Sequence, residues 1–217
     1  MIVDMNLKGK KTLVVGGTKV AERRVRQLLE SGSSVTVASN HATAGLKRLS
    51  EKGMITLRIG PLKPFAIMKL PAFISAWSVL AMSGDRKVDR PIIRAARRVK
   101  KLSAAMDDPE VSDMSFPAVA RLGSARVTIS TGGKSPAMAS LLRRKIETVI
   151  TKRDLRQIEL QAFARKIART NLSSSSERKT LVYRLIQNRR INTLLAQGKL
   201  REAKNLAASI LSRTATR

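Results

Sequence analysis

Up to about residue 113, short apolar runs alternate with longer amphipathic stretches. That is the pattern of strands buried on both faces of a parallel sheet and joined by covering helices. The runs 12–15, 34–38, 54–58, 76–82 and 102–106 are predicted strands, bounded by Gly, Ser, Pro and charged residues. Residues 20–30 and 90–99 are the clearest connecting helices. Beyond Asp113 the strand signal fades to one further run, 125–130, which leads through Thr131-Gly132-Gly133-Lys134 into Ser135-Pro136. Ser as N-cap and Pro at the first helical position predict a helix running to about Ile150. Its apolar positions Met138, Leu141, Leu142, Ile146 and Ile150 recur near helical spacing, so this face is expected to be buried. The stretches 155–169 and 177–211 read as helical, with the run 173–176 as a linker between them.

Charge changes this picture only in its outer layer. The 217 residues carry 43 Lys+Arg against 15 Asp+Glu, a formal charge of +28, and 43% of them are hydrophobic. That apolar share is enough for folded cores throughout. The excess is global: 21 basic and 10 acidic residues lie up to Asp113, and 22 and 5 after it. No window approaches the roughly 20 apolar residues a spanning helix needs, and residues 1–11 hold Asp4 and three lysines where a signal peptide would be apolar. The expectation is a cytoplasmic protein with no membrane contact. Cysteine is absent and His41 is the lone histidine, so no thiolate or histidine cluster for a metal is expected.

The first candidate site is the turn after the first strand. Gly16-Gly17-Thr18-Lys19-Val20-Ala21 matches a dinucleotide-binding Gly-x-Gly-x-x-Ala turn at its first and third key positions. Gly16 permits the tight turn, Ala21 allows close helix–strand packing, and the helix start offers N–H groups to a pyrophosphate. Thr18 stands where a middle glycine would be. Either its side chain crowds the phosphates, in which case Thr18→Gly tightens dinucleotide binding, or its hydroxyl donates to one. No Asp or Glu occurs from Ser31 to Ser50 to take the ribose; Ser39, Asn40 and His41 occupy that strand end instead. An ordinary tight strand-to-helix turn is the plainer alternative.

Several separated segments together resemble the precorrin-2 dehydrogenase/sirohydrochlorin ferrochelatase family, the N-terminal module of siroheme synthases, over about residues 1–150. They are Leu13-Val14-Val15-Gly16-Gly17, Val20-Ala21-Glu22-Arg23-Arg24, Asp107-Asp108-Pro109-Glu110, Phe116-Pro117-Ala118 and Ile129-Ser130-Thr131-Gly132-Gly133-Lys134-Ser135-Pro136, the last followed by Leu142-Arg143 and Ile146-Glu147. The resemblance implies an α/β protein: a Rossmann-like parallel-sheet domain over 1–113, a small dimerisation region over 114–150 and a helical C-terminal domain over 151–217. It implies a homodimer that oxidises precorrin-2 to sirohydrochlorin with NAD in siroheme biosynthesis, with insertion of ferrous iron as a further activity of some members. Gly16, Gly17, Thr18, Lys19, Val20, Ser39, Asn40 and Ser83 would then hold NAD, and Ser130, Thr131, Gly132, Gly133, Lys134 and Ser135 the substrate. Asp107 would be the general base, at a strand end where doubly wound folds bind ligands. Three positions depart from the family pattern: Thr18, Ser83-Gly84-Asp85 after the fourth strand, and Ala104.

A substrate bearing a ring of carboxylates gives the positive charge a specific partner. Two other classes share these features: a family member that binds NAD or tetrapyrrole without turnover, and a basic nucleic-acid-binding protein. Against specific nucleic-acid recognition, aromatics are only 3% of residues, which leaves little surface for base stacking.

Overall fold

The computed structural model describes residues 2–106, 108–171 and 174–215. It divides into two units, Met1–Phe116 and Pro117–Arg217.

The first unit is a Rossmann-like α/β layer structure. Its strands β1 (Lys11–Val15), β2 (Ser34–Ser39), β3 (Ile55–Ile59), β4 (Ser78–Ala81) and β5 (Leu102–Ala105) form one all-parallel sheet in the order β3-β2-β1-β4-β5. The order doubles back beside β1, so the crevice of such a sheet opens above the carboxyl ends of β1, β2 and β4. Alternation along β1 sends Val14 to one face, where it packs with Val25, Leu28, Val37, Leu46 and Leu80. Leu13 and Val15 go to the other, with Phe73, Val79, Ile92 and Ala96. Helices α1 (Lys19–Glu30) and α2 (Ala44–Glu51) cover the first face. The second is covered by the short α3 (Pro64–Met68) and α4 (Pro71–Ser75) together with α5 (Arg86–Arg98).

Two boundaries differ from the sequence reading. The expected strand 76–82 shortens to β4, because Ala76 closes α4 as its C-cap. The helix expected from residue 90 begins at Arg86, where Asp85 accepts from the Lys87 N–H at 2.8 Å as N-cap. Pro91 therefore sits inside α5 rather than opening it; the N–H it lacks would have met the Lys87 carbonyl.

The second unit opens with an antiparallel hairpin, β6 (Ala118–Leu122) and β7 (Ala125–Ile129), closed by Gly123 at φ +55° and Ser124. Strand β6 was not expected. After β7 come α6 (Pro136–Val149), α7 (Lys152–Asn171), α8 (Ser175–Gln187), α9 (Arg189–Ala196) and α10 (Leu200–Ala215). The expected single helical stretch 177–211 is thus three helices. Asn188 ends one and caps the next, accepting from the Ile191 N–H at 3.0 Å, and Gly198 at φ +84° turns the chain before α10. Within the expected linker, Ser174 already caps α8, and Ser173 lies outside the described residues. Leu160, Ala164, Leu181, Leu185, Ile191, Leu195, Ala207 and Leu211 build the core of the four C-terminal helices.

Helix α6 begins where the sequence places it, with Ser135 accepting from the Met138 N–H at 3.2 Å. Of its expected apolar face, Ile146 and Ile150 are half-buried within the chain and the rest is exposed. Met138 is 45% exposed, Leu141 and Leu142 are 37% and Val149 is 65%, while Ala139 is buried. Among the described residues no helix is long and apolar enough to cross a membrane.

Candidate functional site

At the carboxyl end of β1, the chain makes a turn that the protein's own backbone encloses. Gly16 has φ +124°, and its N–H donates to Ala38 O at 2.8 Å. A Cβ at Gly16 would lie 2.2 Å from Met82 O, just beyond β4, and one at Gly17 would lie 1.8 Å from His41 O, just beyond β2. Gly16 is therefore fixed by crowding as well as by conformation, and Gly17 by crowding alone. Thr18 follows in extended conformation and caps α1, its hydroxyl oxygen accepting from the Ala21 N–H at 3.3 Å. Ala21 is fully buried against the sheet, as its place in the motif predicts. The N–H groups of Lys19 and Val20 lie ahead of the first helical bond, from Glu22 N to Thr18 O at 2.9 Å. A paired-glycine turn opening onto such a helix start fits the pyrophosphate of a dinucleotide.

The neighbouring strand ends complete this edge. Ser39 closes β2, 1% exposed, and its hydroxyl donates to His41 O at 2.5 Å; Asn40 beside it is exposed. Beyond β4, the Ser83 hydroxyl and N–H both donate to Asp89 Oδ1, at 2.7 and 3.2 Å. Asp89 is 5% exposed, and burial raises its pKa above the ordinary carboxylate range against the opposing effect of the Ser83 bonds. The expected cofactor residues Gly16, Gly17, Thr18, Lys19, Val20, Ser39, Asn40 and Ser83 all lie at the carboxyl edge of one sheet.

The end of β5 is pinned from both sides. Met106 N donates to Ala81 O at 3.1 Å. Asp107, the expected general base, lies outside the described residues. Asp108 is 5% exposed and accepts from Arg90 Nε at 2.5 Å; that bond holds its carboxyl below the ordinary range. The Ser112 hydroxyl donates to Asp108 O at 2.7 Å and accepts from Ala105 N at 2.9 Å. One residue on, Asp113 takes the N–H and hydroxyl of Ser103 on Oδ2 and Arg97 Nε at 3.0 Å on Oδ1. Arg90 and Arg97 are two helical turns apart, so one face of α5 grips both carboxylates of this loop. A cavity of about 110 Å³ lies here, lined by Gly84, Asp89, Arg90, Ala105, Met106 and Asp108 among others. Sequence reading missed both arginines, whose partners are 18 and 16 positions away. Ala104, one of the departures, is 1% exposed and belongs to the core under β5.

The expected substrate residues form a second turn, within the other unit. The Thr131 hydroxyl donates to Ser135 O and accepts from Ser135 N, both at 3.1 Å, and Gly132 N donates to Ser130 Oγ at 3.2 Å. Gly132 and Gly133 have φ +61° and +81°, with no atom within 4 Å of an added Cβ. Lys134 is exposed at its tip.

Comparison with known proteins follows the same two units. The model of an NAD(P)-binding family matches residues 3–118, and that of the sirohaem biosynthesis protein central region matches residues 127–148. The chain is 29% identical over 206 residues to siroheme synthase 3 of Aeromonas hydrophila subsp. hydrophila, covering 95% of this chain and 43% of that one. It is 34% identical over 145 residues to the siroheme synthase of Xylella fastidiosa, covering 67% of this chain and 29% of the other. The chain thus spans less than half the length of these relatives. Among solved structures, SirC, a precorrin-2 dehydrogenase, superposes with a TM-score of 0.78 at 19% identity, covering 96% of this chain and 99% of that one. That likeness shows the fold, including the hairpin and the helical unit that follow the sheet.

Proposed function

Because the chain belongs to the NAD(P)-binding family, its model matching more than half of the residues, we propose that this protein oxidises precorrin-2 to sirohydrochlorin with NAD, as a step of siroheme biosynthesis. The observation that carries this reading is the sheet edge itself. There the glycine turn and the capped start of α1, at the end of β1, and the pinned end of β5 share the carboxyl edge of one sheet, with β4 between them. The second model, the names of the relatives and that of the superposing structure support the choice of substrate.

NAD, when bound, supplies the acceptor for a hydride. The turn Gly16–Val20 would hold its pyrophosphate, Ser39 and Asn40 a ribose, and Ser83, braced by Asp89, would form the opposite wall. Loss of the hydride leaves a proton on the macrocycle, and Asp107 receives it. Of the two adjacent carboxylates, Asp108 is already committed: it is buried, ion-paired and kept charged by Arg90. Asp107 would equally receive pyrrole protons in iron insertion, the macrocycle nitrogens being the metal's ligands. The Ser130–Ser135 turn, with the Lys134 ammonium, binds substrate carboxylates by charge-assisted hydrogen bonds. The exposed apolar face of α6 supports a homodimer built through residues 114–150.

The test is an anaerobic assay with precorrin-2 and NAD, following the sirohydrochlorin chromophore and NADH together. Asp107→Ala should lower turnover by about 100- to 10,000-fold while NAD affinity and folding stay near the parent. Turnover within about threefold of the parent would remove Asp107 from this role.

A further inference from the structure

A dinucleotide on a sheet of this kind places its adenosine ribose over the end of β2 and the loop that follows, where an acidic side chain ordinarily takes the ribose hydroxyls. Here Ser39, Asn40 and His41 provide no carboxylate. One arrives from elsewhere. Glu22, in the first turn of α1, accepts from the Thr43 hydroxyl at 2.6 Å on Oε2 and from Arg26 Nη2 and Nε at 2.6 and 3.0 Å on Oε1. A Cβ at Gly45 would lie 1.9 Å from Glu22 Oε1, so the carboxylate rests directly on the first turn of α2. Thr43 is the N-cap of α2, accepting from Leu46 N at 3.3 Å, and its own N–H donates to Gly17 O at 3.3 Å. The glycine turn, the β2–α2 loop and Glu22 are thereby one connected structure.

The start of α2 is where an anion would otherwise be attracted, and Glu22 already occupies it. Its carboxyl is held below the ordinary range first by Thr43 and then by Arg26, so it stays charged at neutral pH. Arg26 is spent in that pair, and the positive charge of Arg48 on α2 also favours the ionised carboxyl. We propose that Glu22 is the specificity-determining residue of the dinucleotide site, selecting NAD against its 2′-phosphorylated form. This rests on the dinucleotide reading above and extends it. A 2′-phosphate brought to the β2–α2 loop meets a fixed like charge and a helix start with its cap in place. Without that charge, Arg26, Arg48 and the start of α2 together suit a phosphate.

Calorimetric titration of the whole protein with NAD and with NADP, in separate experiments, measures the preference without turnover. The parent should bind NAD at least about tenfold more tightly. Glu22→Gln, which retains an acceptor for Thr43, should narrow that ratio by about tenfold, mainly through tighter NADP binding. Glu51→Gln, at the opposite end of α2, makes the same change in net charge and should leave the ratio alone. If Glu22→Gln does not fold, Glu22→Asp decides: it keeps the charge but withdraws it from Thr43, and the ratio should narrow by less. A parent that binds both nucleotides equally, a ratio within about twofold of the parent's in the Glu22 variant used, or an equal shift in Glu51→Gln would overturn the assignment while leaving the dinucleotide site intact. A parent that binds neither would overturn the site and the assignment together.

Discussion

Each unit carries a paired-glycine turn that leads into a helix capped by a hydroxyl, yet the two turns hold their glycines for different reasons. At Gly16-Gly17 the protein's own carbonyls stand where side chains would be, from Met82 on one side and His41 on the other. At Gly132-Gly133 no atom lies within 4 Å of where a side chain would begin, and only the positive φ values call for glycine. The first turn is a wedge that spaces the ends of β2 and β4, so its shape and the stability of the sheet are the same property. The second is a projection. It presents Ser130 to Lys134 outward while its few bonds stay internal to the turn. Two turns that read alike as sequence thus separate into one that must be rigid and one free to be read by a ligand.

The largest effect that tests this contrast is expected at Gly17. Gly17→Ala places a methyl group inside a backbone carbonyl, and the β2–α2 loop must move to admit it. We expect a loss of about 3 kcal/mol or more in the unfolding free energy of the sheet unit, by denaturant titration, together with loss of measurable NAD binding. An alanine variant with parental stability would mean that the His41 carbonyl gives way easily and that the wedge is not rigid. At Gly133, Ala meets no neighbour and pays only for its left-handed conformation. A cost of about 1–2 kcal/mol is expected, with NAD affinity unchanged. If Gly133→Ala instead weakens NAD binding, the two turns are not independent and the contrast fails.

Much of the sheet was legible because strands buried on both faces must be continuous apolar runs, as Leu13-Val14-Val15 and Val79-Leu80-Ala81 are. The start of α6 was legible because Ser135-Pro136 pairs two helix-start preferences. Strand β6 was not, since Ala118 to Leu122 carries two alanines and a single β-branched residue, where β7 of the same length has Val127, Thr128 and Ile129 in a row. Helices α3 and α4 are single turns opened by Pro64 and Pro71, too brief to establish a period. The expected start of α5 lay four residues too late, because Asp85 caps the helix ahead of Pro91, a residue more usual in a first turn than in an interior. At the site, Gly16 and Ala21 were readable from spacing alone. Glu22 lay within a quoted motif, but Thr43 and Gly45, 21 and 23 residues on, meet it only once α1 and α2 pack side by side on the sheet. The Arg90–Asp108 and Arg97–Asp113 pairs were hidden in the same way. The apolar stripe of α6 was read correctly as a stripe, while its exposure within the chain depends on what the fold leaves uncovered.

The smallest expected effect concerns the caps that follow the two turns. Thr18 and Ser135 each satisfy an N–H in the first turn of their helices, so Ala at either should cost about 0.5–2 kcal/mol, and Gly at Thr18 only a few tenths. Thr18→Gly therefore removes the side chain from the phosphate-facing turn with almost no change in folding, which makes it a clean test of what that side chain does there. Two physical accounts give opposite signs. If the methyl and hydroxyl crowd the pyrophosphate, backbone approach improves and NAD binds more tightly. If the hydroxyl, while its oxygen caps Ala21, donates its proton to a phosphate, affinity falls. The capping geometry leaves that proton facing away from the helix N–H, yet the Thr18 oxygen is fixed by its bond to Ala21, which restricts how far the donor can turn. We expect the steric effect to dominate and the affinity to rise severalfold, read by calorimetry beside Thr18→Ala as the control for the lost cap. A fall in affinity for the glycine variant that matches the alanine variant would make Thr18 a ligand rather than an obstacle. The first turn would then share with the second the use of a hydroxyl by a bound anion that is proposed there.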